Sequence, residues 1–154
     1  MDKITINTTK SRITCLTKIN LDVNKLENII TFIFETENAS ANDQLNVVIA
    51  DNKFLQDLNK RFRNIDRPTD VLSFSLEDEK PSDSNSVLGD VYISSEKAVS
   101  QATEYGVPLQ IEIERLMIHG ILHLLGYEHD ESRKRKIMEK KTEYFMNYFP
   151  KEQR

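Results

Sequence analysis

Between Leu116 and Leu125 the chain is apolar except for Gly120 and two histidines set four residues apart, His119 and His123. A run this long and this apolar, bounded by turn residues, predicts a largely buried helix. On a helix the two imidazoles lie about 40° apart around the axis and about 6 Å along it, so both can reach one ion at about 2.0–2.1 Å. Gly126 follows, where a helix can end on a residue with positive φ. The turn it permits brings back His129, the last of the chain's three histidines. Three neutral imidazoles are an open ligand set for Zn²⁺, leaving a fourth position for water or substrate. A His-x-x-x-His pair can also be just two polar residues sharing a helix face. Here, however, Ile121, Leu122, Leu124 and Leu125 surround the pair, and an unpartnered imidazole buried among them is costly.

Composition narrows the remaining possibilities. A length of 154 residues with 38% hydrophobic side chains suits one domain, taken as residues 1–154, with one core. No segment approaches the roughly 18–20 apolar residues of a membrane span, so no membrane partner is expected. The first residues carry no apolar stretch of the export type, so a cytoplasmic location is expected. The single cysteine, Cys15, excludes an intrachain disulfide and reads as a small, half-buried residue. The net charge of −4 does not suggest bulk nucleic-acid binding. Cations are nevertheless clustered, at Lys60, Arg61, Arg63 and Arg67 and again from Arg133 to Lys141. Such patches can bind phosphate on an acidic protein, and they are also the ordinary solvated faces of helices.

Alternation predicts strands over 2–7, 44–50, 71–76 and 87–94, and 3.6-residue spacing predicts helices over 22–37 and about 52–62. Asp51 is the expected N-cap of the second helix. Ser94 or Ser95 starts a helix running to about Tyr105. Pro108 sits near the start of the histidine-bearing helix, which Gly126 closes. A last helix, about 131–148, has Ile137, Met138, Tyr144, Phe145 and Tyr148 available to pack. The polar stretch 77–86 is expected to be a mobile loop. The fold class is therefore α+β (mixed α/β): one small sheet of about four strands packed by about five helices.

The spacing His-x₃-His-x₂-Gly-x₂-His is that of the metzincin proteases. Those enzymes carry a glutamate as general base directly after the first histidine, and here that position is Gly120. A cage without the glutamate suits a substrate that needs less help, since Zn²⁺ itself lowers the pKa of water to about 7 and polarises phosphoryl oxygens. Phosphodiester hydrolysis fits, given an arginine to hold the phosphate.

The stretch from His119 to His129, His-Gly-x-Leu-His-Leu-Leu-Gly-Tyr-x-His, resembles the signature of the YbeY endoribonucleases, the bacterial rRNA maturation factors. Two further blocks agree: Leu58-Asn-x-x-Phe62-Arg63-x-x-Asp66-x-Pro68-Thr69-Asp70-Val71-Leu72-Ser73-Phe74 and Leu88-Gly89-Asp90. Glu128 departs from the family's usual Asp. The resemblance implies a zinc-dependent, single-strand-specific endoribonuclease in 16S rRNA 3′-end maturation and ribosome quality control. Its partners would be single-stranded RNA or rRNA and the ribosomal subunit or ribosome-associated proteins. It carries the metal-ligand role onto His119, His123 and His129 and a catalytic or phosphate-binding role onto Arg63. Arg61, Arg67, Thr69, Asp70 and Ser73 are candidate substrate contacts, although such polar residues at a turn are also capping residues. Asp90 is open between a site carboxylate and a structural hydrogen-bond partner. Two other readings stay open, a metalloprotease-like hydrolase and a non-catalytic assembly factor that zinc merely staples. Imidazole ligands also suit nickel, copper and iron. Attack by water and attack by the RNA 2′-OH are equally compatible with the sequence.

Overall fold

A computed structural model describes residues 4–7, 11–39, 44–75 and 89–148. Its strands are β1 (Ile4–Asn7), β2 (Ser11–Cys15), β3 (Leu45–Ala50), β4 (Val71–Ser75) and β5 (Gly89–Ser94). The helices are α1 (Val23–Thr36), α2 (Asn52–Arg63), α3 (Ser95–Tyr105), α4 (Leu109–Leu124) and α5 (Ser132–Tyr148). The strands form one sheet in the order β1-β2-β3-β5-β4, with β2, β3 and β5 parallel and the two outer strands antiparallel. The mixed α+β class is as expected, with one strand more than the sequence suggested. The addition is β2, whose alternation Ser-Arg-Ile-Thr-Cys places only Ile13 and Cys15 on the apolar face. Cys15 is a core residue rather than a half-buried one, and its thiol donates to the Thr17 carbonyl. The expected loop 77–86 lies outside the described residues.

Local chemistry starts and stops these elements. Asp22, Asp51 and Ser94 cap α1, α2 and α3 by accepting from the backbone N–H three residues on, which satisfies an otherwise unpaired donor. Asn64, in the left-handed region at φ 60°, ends α2, and Lys60, Arg61 and Arg63 in its last turn suit the negative end of the helix dipole.

The sheet carries helices on both faces, and its central strand β3, Leu-Asn-Val-Val-Ile-Ala, is correspondingly apolar along most of its length. On one face Ile13, Val47, Ile49, Val91 and Ile93 pack against α1, α4 and α5. On the other, Leu72, Phe74 and Tyr92 pack with Leu55 and Leu58 of α2. In α5, Met138 and Phe145 are buried while Ile137 and Tyr144 are exposed, so only part of the expected apolar set packs. The period of two in β4 decides what faces α4: Val71 and Ser73 point to it, Leu72 and Phe74 away. No helix among the described residues is long and apolar enough to cross a membrane.

Candidate functional site

Helix α4 presents the histidines at its C-terminal end, and the way it ends determines the rest. Leu125 caps it and Gly126 follows at φ 104°. The Gly126 N–H donates to the His123 carbonyl at 3.1 Å and the Tyr127 N–H to the Leu122 carbonyl at 3.0 Å, the paired bonds of a Schellman ending. The chain thereby turns back across the helix end, leaving the Tyr127 carbonyl 2.8 Å from His123 Nδ1. A carbonyl only accepts, so Nδ1 carries a proton and Nε2 is the nitrogen left to face a ligand. The returning segment is fastened twice more. Tyr127 donates its hydroxyl to Glu37 at 2.7 Å, and Arg135 of α5 donates to the His129 carbonyl at 3.3–3.4 Å. Glu128 pairs with Lys134 at 3.2 Å on the surface.

These contacts gather the three imidazoles. Ring centroids lie 5.5 Å apart for His119 and His129, 5.4 Å for His123 and His129, and 6.5 Å for His119 and His123. Tetrahedral ligation at about 2.0–2.1 Å from each nitrogen sets such centroids about 5.2 Å apart. Two separations are close to that value, and the third is wider by about an ångström. As they stand, no group of three or more His, Cys, Asp or Glu side chains among the described residues is arranged to hold a metal ion. The chemistry of the donor set nevertheless fits one, and His119 is held toward its neutral form. Burial pulls the His119 pKa below the ordinary imidazole value, and charge on His129 or His123 pushes the same way, against Asp70. A neutral, tautomerically fixed imidazole is the form that ligates.

Gly120 has a packing reason. A Cβ there would sit 2.7 Å from Val91 Cγ1 and 3.0 Å from Ser73 Oγ, so α4 lies on the sheet at a separation only glycine allows. Ser73 completes the contact by donating its hydroxyl to the Gly120 carbonyl at 2.9 Å. The position where a metzincin carries its general base is thus turned into the sheet, with no room for a side chain.

The other candidates spread around this centre. Asp70 Oδ1 accepts from the Val71 N–H at 2.8 Å and from the Thr69 hydroxyl at 3.4 Å, and Oδ2 from Gln101 at 3.2 Å. It is near enough to favour the charged forms of His119 and Arg115. Arg61, Arg63 and Arg67 are all exposed, at the end of α2 and in the turn after it. That turn is held by Asn59, whose amide donates to the Arg67 carbonyl, and by Gln56, which donates to Asp66. Asp90 accepts from Asn46 at 2.9 Å and from the Tyr92 hydroxyl at 3.4 Å, which makes it a structural partner.

A cavity of about 500 Å³ opens beside the histidines, lined among the described residues by Arg115, His119, His129, Arg135, Met138, Glu139, Thr142 and Glu143. Arg63 is not among them. The sequence reading missed Arg115 and the α5 wall. Arg115 could have been found as the residue one turn before His119 on the 115–119–123 stripe. The α5 wall had no signal, because only the tertiary fold brings it across the helix end. Part of the second cationic cluster is engaged within the chain: Lys134 with Glu128, Arg135 with His129 and Lys141 with Glu37.

A family model described as Endoribonuclease YbeY matches residues 6–150. Curated proteins named Endoribonuclease YbeY from a Thermoanaerobacter species and from Carboxydothermus hydrogenoformans are 40% and 38% identical to the chain over 139 and 135 residues. These matches cover 83% and 84% of the chain and 87% and 90% of the relatives. The solution structure of TM1509 from Thermotoga maritima matches with a TM-score of 0.58 and 30% identity, over 80% of this chain and 78% of that one.

Proposed function

We propose, for a chain that belongs to the Endoribonuclease YbeY family, that it is a metal-dependent endoribonuclease cleaving single-stranded RNA at the His119–His123–His129 site. The observation that carries this reading is the gathering of three imidazoles at the end of α4, two of which, His119 and His129, line a cavity. His119, His123 and His129 would hold one divalent ion, with zinc the first choice for an all-imidazole set. When bound, such an ion polarises a phosphoryl oxygen and lowers the pKa of water.

The chain's own residues supply the rest. The Tyr127 carbonyl keeps the His123 proton on Nδ1, so the ring cannot turn its donor toward the site. Arg63, with Arg61 and Arg67 beside it, offers exposed cations to the RNA backbone, and Arg63 is the residue proposed to balance charge developing on the phosphate. Thr69, which donates to Asp70, and Asp70, which favours the charged form of His119, are proposed as substrate contacts beside it. Ser73 acts through the placement of α4. With Gly120 pressed against Val91, a protease-type general base has no place on this helix.

The biological setting we propose is 16S rRNA 3′-end maturation and ribosome quality control in the cytoplasm, in association with the ribosomal subunit or its proteins. The test uses purified protein and end-labelled RNA carrying single-stranded and duplex segments around a 16S rRNA 3′ end. Metal-dependent cuts confined to the single strand are expected. Cleavage of duplex and single strand alike, or of casein in place of RNA, would contradict the reading. A 2′,3′-cyclic phosphate on the product identifies 2′-OH attack, and cleavage at a 2′-deoxy position identifies water attack.

A further inference from the structure

Arg115 stands one turn before His119 and lines the same cavity as His119 and His129. Its guanidinium is held from two sides. Nε donates to Glu112 Oε1 at 3.0 Å and Nη2 to Glu112 Oε2, while the guanidinium carbon lies 5.7 Å from the centre of the Tyr105 ring. Glu112 is only 1% exposed, so the carboxylate is a fixed anchor rather than a mobile surface partner. The arginine side chain is 36% exposed. A guanidinium has five N–H donors in one plane, and Glu112 occupies two of them. The Nη1 donors are left for a ligand, on a group whose plane and position are already set.

We propose that Arg115 is a phosphate-binding residue of this cavity, oriented by Glu112 to donate from Nη1 to a non-bridging oxygen of the RNA backbone. The inference rests on the nuclease reading above and identifies a contact within that site. A planar fork with a free edge matches a phosphate better than a point charge does, and its ordering cost is already met by the Glu112 pair. Arg135, the cavity's other arginine, belongs to α5 and donates to the His129 carbonyl at 3.3–3.4 Å, so Arg115 is the arginine that α4 itself brings to the cavity. Glu112 is a positioning residue, acting only through Arg115.

The experiment measures binding of a fluorescent 2′-O-methyl single strand by anisotropy, alongside steady-state cleavage of the matching RNA. Arg115→Gln is expected to weaken binding and raise KM about ten- to hundredfold, with kcat less affected and metal content unchanged. It also leaves the buried Glu112 carboxylate without its cation, so the thermal midpoint should fall, and binding is compared at a temperature where both proteins are folded. The slope of log affinity against log salt should become shallower by about 0.7, one phosphate contact. Glu112→Gln should fall between wild type and Arg115→Gln, and adding it to Arg115→Gln should cost nothing more. Wild-type binding and salt slope in Arg115→Gln would overturn the proposal. If Arg115→Gln does not fold, Arg115→Lys decides, because it keeps the stem and charge but lacks the fork. A threefold or greater loss of binding supports the proposal and wild-type binding overturns it. Failure of the nuclease reading looks different: the wild type binds the strand through Arg115 but cuts no RNA.

Discussion

His123 Nδ1 and the carbonyl oxygen of Tyr127 lie 2.8 Å apart, a contact made only because the chain reverses at Gly126. One glycine thus sets both the tautomer of a metal-ligand candidate and the return of the segment carrying His129. An L-residue is strained at φ 104°, and a Cβ there would touch nothing that compensates. Gly126→Ala should cost about 1–2 kcal/mol and displace the Tyr127 carbonyl. Loss of such an orienting contact typically weakens metal binding about ten- to hundredfold. Thermal unfolding and zinc titration of the same sample check both effects; wild-type values in each would show that the turn does not orient the ring.

Tyr127 anchors the same segment through its hydroxyl on Glu37, which also receives Lys141 at 2.8 Å. Tyr127→Phe removes one hydrogen bond from this half-buried group and should lower stability by about 0.5–1.5 kcal/mol. The carbonyl contact to His123 is untouched, so metal affinity should stay within about threefold, far less than an orienting contact costs. Urea unfolding with a parallel metal titration separates the two, and a large loss of affinity would place the anchor in the wrong residue.

The close approach of α4 to the sheet makes Gly120 sensitive to a single methyl. Gly120→Ala brings a Cβ within 2.7 Å of Val91 and should cost about 1–3 kcal/mol. Gly120→Glu, which restores the protease-like sequence, should fail to fold rather than gain peptide hydrolysis. Denaturant midpoints test the first statement, and a soluble, casein-cleaving Gly120→Glu would refute the second.

These residues also show what a linear reading can reach. The helix stop at Gly126, the caps at Asp51 and Ser94 and the histidine stripe are local patterns, governed by residues within one or two turns. They were legible for that reason. Strand β2 was not, because five residues with two apolar positions carry too short an alternation to stand out. Arg115 and the α5 wall escaped because their role depends on contacts distant in sequence. Gly120 was read as a missing catalytic group, and only the neighbouring Val91 and Ser73 reveal its packing role.

Arg63 is exposed at the end of α2, so removing its charge should leave the fold intact. Arg63→Ala is expected to lower kcat about a hundred- to a thousandfold with an unchanged thermal midpoint, the usual effect of losing a charge-stabilising donor. Steady-state cleavage of a defined single-stranded RNA tests this, and unimpaired turnover would remove Arg63 from the chemistry.

The most direct test strips the protein with EDTA and restores one equivalent of zinc, following cleavage of a labelled single-stranded RNA by wild type and His123→Ala side by side. Cleavage should vanish on stripping, return with the metal in the wild type and stay absent in His123→Ala. Undiminished cleavage in the stripped wild type, or full activity in His123→Ala, would contradict the assignment of these three histidines to a metal-dependent nuclease site.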